Sequence, residues 1–418
     1  GAQHYVGGII GYAEYFSEGA AISNCTNTGT VTNTSTSRSQ GTGGIAGYFG
    51  GSSAVKVEIV GCINYGTIQI TEGGKQDYMG GIIGRNSYGH ISGCNNTGTI
   101  SGYQFVGGIV GTNSGTVTNC RNTGTVIATG SAIGGIAGTN SGTVTGCTNS
   151  ADVQGQWYVG GINGSGIGTG LSDCTNTGDV TSNTYGAGGV IGYVDAAGTV
   201  ENCHNEGDVK GTYYIGGLVG SHYSGKVNYA ECSNKGNVEG SSYDIGGLFG
   251  RITGSSVVTR CYNTGNVTCT GTYSTSWDYG VGGLAGATFN AAMFENCYNT
   301  GAVNGGSNAN IGGLVGFFTY ASGSTEHYIK NSHNTGSVTG GKNTGGLFGS
   351  YESINVSENC YNTGVVTGGQ NIGGLVGYHK STGSGIGVIK NCYNIGSVSG
   401  TSYVGGLFGY SFYNNCLE

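Results

Sequence analysis

Residues 106–126 read VGGIVGTNSGTVTNCRNTGTV, the most compact copy of a unit that recurs along all 418 residues. Three anchors define the unit. The first is an apolar residue followed by Gly-Gly, an aliphatic residue, a variable one and Gly. Its glycine pair opens at Gly7, Gly43, Gly80, Gly107, Gly134, Gly160, Gly188, Gly216, Gly246, Gly282, Gly312, Gly345, Gly373 and Gly405. The second is a cysteine, Cys120 in this copy, recurring every 24 to 37 residues with Ser332 in the one place where it is missing. The third is an Asn two residues further on, here Asn122, usually followed by Thr-Gly. Self-similarity at such a period marks a solenoid, a propeller or an array.

Short runs rich in Val, Ile, Thr and Tyr, bounded by Gly and Asn, recur where a helix would need an apolar stripe at helical spacing, so the chain reads as all-β. Three runs per unit fit one turn of a parallel β-helix better than a propeller blade, which needs about 40 residues and four strands. The expectation is a right-handed parallel β-helix, a solenoid of about 14 turns with three short strands per turn, forming a single domain over residues 1–418. One turn cannot bury an apolar face alone, so each must rest on its neighbours.

Side-chain parity sharpens the picture. Val106 and Ile109 flank the glycine pair and lie three apart, although strict alternation would send them to opposite faces. The glycines are therefore expected to form a bend or bulge that resets the phase. Val117 and Cys120 show the same offset, with a residue type between them that tolerates left-handed backbone. Stacking then turns the Asn position into a ladder of amides and the Cys position into a column of thiols. In-register cysteines present parallel Cβ vectors about 4.8 Å apart, wider than the roughly 3.8 Å a disulfide prefers. The thiols are expected to be reduced fillers.

Gly accounts for 92 residues but falls at fixed places, which separates the chain from a flexible linker, and Pro is absent, as expected where backbone N–H groups feed ladders. With 8% charged residues and a formal net charge of −7, the chain offers no basic groove for nucleic acid, and no run is long and apolar enough for membrane insertion as a helix. It opens and closes inside a repeat, which reads as a fragment of a longer exported protein.

Candidate ligand-binding residues are aromatic. The outward residue after the cysteine is Tyr262, Tyr298, His333, Tyr361 and Tyr393 in the C-terminal copies, and Phe317, Phe318, Tyr320 and Tyr378 stand at the insertions after the Gly-Gly unit. Such a stripe can stack on sugars or on a protein. Asp152, Asp179 and Asp208 occupy one outward position and are weak candidates for calcium or for acid/base work. HExxH, GxSxG, a P-loop and paired CxxC are missing, so no catalytic residue, metal or cofactor is expected.

The unit resembles the GLUG motif, as GGLVG at Gly216, Gly312 and Gly373, GGLFG at Gly246, Gly345 and Gly405, and GGLAG at Gly282. The resemblance implies a bacterial surface or secreted protein, as in adhesin-like proteins and the non-catalytic regions of IgA-specific metallopeptidases. The expected function is a non-catalytic structural or adhesive stalk, extracellular or on the cell surface, binding glycan or a host surface protein. The alternative is a carbohydrate-active β-helix enzyme, a polysaccharide lyase or hydrolase. Open strands at the two ends would allow end-to-end self-association.

Overall fold

In a computed structural model of the chain, the residues described are 5–14, 19–35, 41–51, 57–71, 74, 77–272, 279–290, 292–319, 327–352, 356–380 and 388–412. They fall into two compact units, Gly1–Gly207 and Asp208–Glu418. Every described element is a β-strand, and the described strands pair in parallel with their counterparts one repeat away.

The coil around Cys120 shows how the repeat folds. It runs Gln104–Gly107, Val110–Asn113, Thr116–Thr118, Arg121–Asn122 and Val126–Ala128. The second, third and fourth strands each join a sheet of their own. The fifth shares one sheet with the first strand of the next coil, and in Val153–Gly160 and Val180–Gly188 the two merge. The first of the three expected runs is thus split in two at the glycine pair, and a two-residue strand follows the cysteine of the repeat, so the coil has five short strands where three were expected. Within the N-terminal unit the second, third and fourth strands of the coil stack seven deep, and within the C-terminal unit they stack seven, six and six deep. Complete turns are therefore fewer than the fourteen Gly-Gly copies, because the last copy has only Ser402–Gly405 and Phe408–Ser411 among the described residues.

Equivalent residues stack in register: Gly107 on Gly134, Val117 on Val144 and Asn122 on Asn149. The core is a set of vertical columns. Val106, Ile109, Val110, Val117 and Val126 are all fully buried.

The phase reset after the glycine pair is a bend repeated in every coil, with the register unbroken from Gly107 on Gly134 to Val110 on Ala137. Ile109 and Val110 both donate their backbone N–H to the Ile136 carbonyl, at 3.0 and 2.9 Å, so one carbonyl serves both donors as the chain turns. The glycines serve it by size rather than by conformation, since neither Gly107 nor Gly108 has a positive φ. A Cβ on Gly107 would lie 2.1 Å from the Val110 carbonyl oxygen, and one on Gly108 would lie 2.4 Å from Cγ of Asn122. The first anchor and the third are therefore one device: the second glycine makes room for the asparagine of its own coil. At the other offset the expected left-handed residue is present, with φ of 51° at Asn119 and 54° at Asp173, and with Gly61, Gly93 and Gly146 also left-handed at the same point.

Candidate binding faces

Inside, the polar columns are engaged with themselves. In the N-terminal unit Asn27, Asn64, Asn96, Asn122, Asn149, Asn176 and Asn205 form a ladder in which each Nδ2 donates to the next Oδ1 at 2.7–2.8 Å. Asn234, Asn263, Asn299, Asn334, Asn362 and Asn394 repeat it in the C-terminal unit at 2.8 Å. The second Nδ2 hydrogen goes to the carbonyl two residues on, as from Asn122 to Gly124 at 3.0 Å. A second ladder, which the anchors did not signal, links Asn86, Asn113 and Asn140 at 2.8 Å.

The thirteen described cysteines are free thiols, and all but Cys25 and Cys392 are buried; Cys416 lies outside the described residues. The thiols donate to backbone carbonyls, Cys94 to Ser92 at 3.4 Å and to Ile59 at 3.6 Å. Burial pushes Cys297 up to about 12 and Cys269 up to about 11, so these thiols stay protonated and unreactive.

Outside, the C-terminal unit carries the aromatic column that the sequence suggested. Ring centroids are 4.9 Å apart from Tyr262 to Tyr298, 5.2 Å to His333, 4.7 Å to Tyr361 and 5.2 Å to Tyr393, with interplanar angles of 1°, 8°, 2° and 6°. The ring faces therefore cover one another, and the edges and polar tips point outward. Tyr393 is exposed and the others are half-buried. Burial lowers the pKa of His333, keeping the imidazole neutral within the stack.

Phe317 and Phe318 are corrected by the structure. Both belong to the strand Val315–Phe318 and are buried, so they are core residues and not ligand contacts. The Phe318 ring packs 5.3 Å from Phe348 and 5.5 Å from Tyr351, while Phe317 packs against Phe289. Tyr378 is half-buried and stacks on Tyr410 at 5.5 Å. Tyr320 lies outside the described residues.

The aspartate carboxylates hold backbone N–H groups. The Asp152 carboxylate accepts the backbone N–H of Asp179 at 3.2 Å, and Asp208 accepts that of Asn237 at 2.8 Å. Asn237 in turn accepts from Asn266. The column caps the backbone of the following coil. Among the described residues no three His, Cys, Asp or Glu side chains converge as a metal site.

A further aromatic seam was missed in the sequence. The residue before the apolar-Gly-Gly step has left-handed backbone, and it is Tyr78, Phe105, Tyr158, Tyr214 and Tyr403 in five copies. Bulky side chains rarely accept that conformation, which costs of order 1–3 kcal/mol. Gly186, Asn310, Asn343 and Asn371 occupy the same point with less strain. The rings lie across the third glycine from an outward residue of the second sheet: Tyr158 is 4.4 Å from Tyr193, and Tyr78 carries the Arg85 guanidinium at 4.8 Å. In the C-terminal unit Arg251 lies 4.8 Å from Tyr214 and pairs with buried Asp244.

These features define a parallel β-solenoid whose coil is one repeated unit and whose polar interior is a set of self-bonded columns. The model of the GLUG motif matches residues 2–32, 77–101, 102–127, 183–210 and 278–304. The chain thus carries GLUG repeats at five places, and its architecture fits a structural repeat protein. No curated protein and no solved structure matches it.

Proposed function

We propose that this chain is a non-catalytic structural and adhesive segment of a bacterial cell-surface or secreted protein, a stalk that presents a binding face to a glycan or a host surface protein. The observation that carries the reading is the column Tyr262, Tyr298, His333, Tyr361 and Tyr393: five aromatic side chains held parallel on the outside of the C-terminal unit. A row of ring edges of this regularity at the surface suits recognition. The interior supports the same reading, because ladders that bond coil to coil along the axis make a stiff scaffold on which outward positions vary without disturbing the fold.

The test is binding to a glycan array and to a panel of host surface proteins. Wild-type protein is expected to bind at least one class of target. Tyr361→Ala and Tyr393→Ala are expected to lose that binding with an unchanged circular dichroism spectrum. Depolymerisation of a polysaccharide, abolished by Asp179→Asn, would overturn the proposal in favour of an enzyme.

A further inference from the structure

We infer that the aromatic face of the C-terminal unit binds a linear, uncharged glycan laid along the coil axis, with one sugar residue per rung. The inference rests on the adhesive reading above and specifies its ligand.

Three parallel rows make the face. The central row is the aromatic column. On one side run Asn296, Asn331, Asn359 and Asn391, all left-handed at φ of 49° to 56°, which turns their amides outward. Asn359 donates to Asn331 at 3.1 Å and Asn391 to Asn359 at 3.3 Å, leaving each of these two amides a second N–H for a ligand. On the other side run Thr264, Thr300, Thr335 and Thr363, half-buried or exposed. The rungs of Tyr298, His333 and Tyr361 thus each offer an amide, a ring edge with a polar tip, and a hydroxyl, while Arg260 takes the Asn place beside Tyr262 and Ile395 the Thr place beside Tyr393. That set suits sugar hydroxyls flanked by C–H surface.

The period selects an extended chain. Rungs 4.7 to 5.2 Å apart are close to the length of one hexopyranose in an extended β-1,4-linked chain. Consecutive rings differ in orientation by no more than 8°, so a straight ligand stays in step over all five. A branched or globular ligand would meet only one or two rungs.

Charge selects a neutral one. Next to the Asn row, Glu295, Lys330, Glu358 and Lys390 stack in register and alternate in sign, with Lys330 and Glu358 3.5 Å apart. The row cancels itself and offers a polyanion no net attraction. The N-terminal unit serves as an internal control: Thr26, Ile63, Asn95, Arg121, Thr148, Thr175 and His204 stand at its corresponding aromatic positions, so it has no such column.

Cello-oligosaccharides and chito-oligosaccharides of two to seven units are titrated into the protein by calorimetry, with oligogalacturonates as the charged control. Affinity is expected to rise several-fold with each added sugar and to level off near five units, with the uronates at least tenfold weaker. Tyr298→Ala combined with Tyr361→Ala should lower affinity at least tenfold at an unchanged melting temperature. Tyr298→Phe combined with Tyr361→Phe should retain part of it, because the stack survives without the hydroxyls. Affinity independent of length, or preference for the uronates, would overturn the inference. So would column-dependent self-association in sedimentation, which would make a second copy the occupant. If the arrays report binding only to branched glycans or to protein, the inference fails while the adhesive reading stands; no binding to any target sinks both.

Discussion

Replacing Asn149 by Leu tests the interior ladder at its middle. Asn149 is fully buried; its Nδ2 donates to Asn176 Oδ1 at 2.7 Å and to the Ala151 carbonyl at 2.7 Å, and its Oδ1 accepts from Asn122 Nδ2 at 2.8 Å. Leucine keeps the branched shape in a larger side chain but leaves the Asn176 oxygen and the Ala151 carbonyl without these donors, and takes one of two partners from the Asn122 amide. Orphaned buried groups cost about 1–3 kcal/mol each, and the added apolar burial returns about 1–2 kcal/mol, so the expected net loss is about 2–4 kcal/mol. Asn27 heads the same ladder and donates onward to Asn64 at 2.7 Å, so Asn27→Leu disturbs one ladder neighbour and is expected to cost about 1–2 kcal/mol. Urea unfolding followed by tyrosine fluorescence gives the totals. Because neighbouring coils couple only to each other, amide exchange should localise the Asn149→Leu effect to the coils that hold Asn122, Asn149 and Asn176. Equal losses at the two sites, or a loss below about 1 kcal/mol at Asn149, would refute the claim that each buried rung ties its coil to both neighbours.

Other outcomes follow from the same columns. Asn163 stands where Val110, Ala137 and Ile191 stand in other coils, and its buried Oδ1 has no hydrogen-bond partner among the described residues; Asn163→Val is expected to raise stability by about 1 kcal/mol in urea titrations. His222 is buried with Nε2 at 3.1 Å from the Ser224 carbonyl and Nδ1 at 2.8 Å from Ser256 Oγ, and burial holds its pKa down to about 4, as it does for His379. The unfolded chain therefore takes up protons between about pH 6.5 and 4 while the folded chain does not, so stability falls as pH falls through that window, by a few kcal/mol for His222. Melting temperatures at pH 7.5 and 4.5 check the sign, and His222→Gln should reduce the difference. Of the described thiols, only Cys25 and Cys392 should react with a maleimide in the folded protein, the rest reacting after unfolding; rapid native labelling of Cys147 would contradict the sealed column.

What could be read in the sequence was whatever repeats by position. The Cys and Asn columns, the two phase resets and the aromatic row all follow from spacing, because a stacked coil converts period into contact. The missed or misread features depend on what one coil does to the next. The Asn86 ladder rests on one GRN and two GTN segments that look like ordinary turns. Phe317 and Phe318 adjoin an insertion, yet the strand carries both into the core before the chain departs. Tyr158 and Tyr214 sit where propensity would place Gly or Asn, so their left-handed backbone is paid for by ring contacts invisible in one dimension. The Asp152 carboxylate looked available for an ion until the N–H of Asp179, from the following coil, was placed on it.

The central claim is that equivalent residues of successive repeats lie on parallel rungs at the spacing of a β-sheet. Genetically encoded spin labels at Thr28 paired with Thr123, Thr177 or Glu206, all in the N-terminal unit and at one outward position, measure it directly by electron double resonance. Separations rising in equal steps of about 4.8 Å per repeat, to about 14, 24 and 29 Å, are predicted. Separations that scatter, or that do not grow with the number of repeats between the labels, would contradict the account.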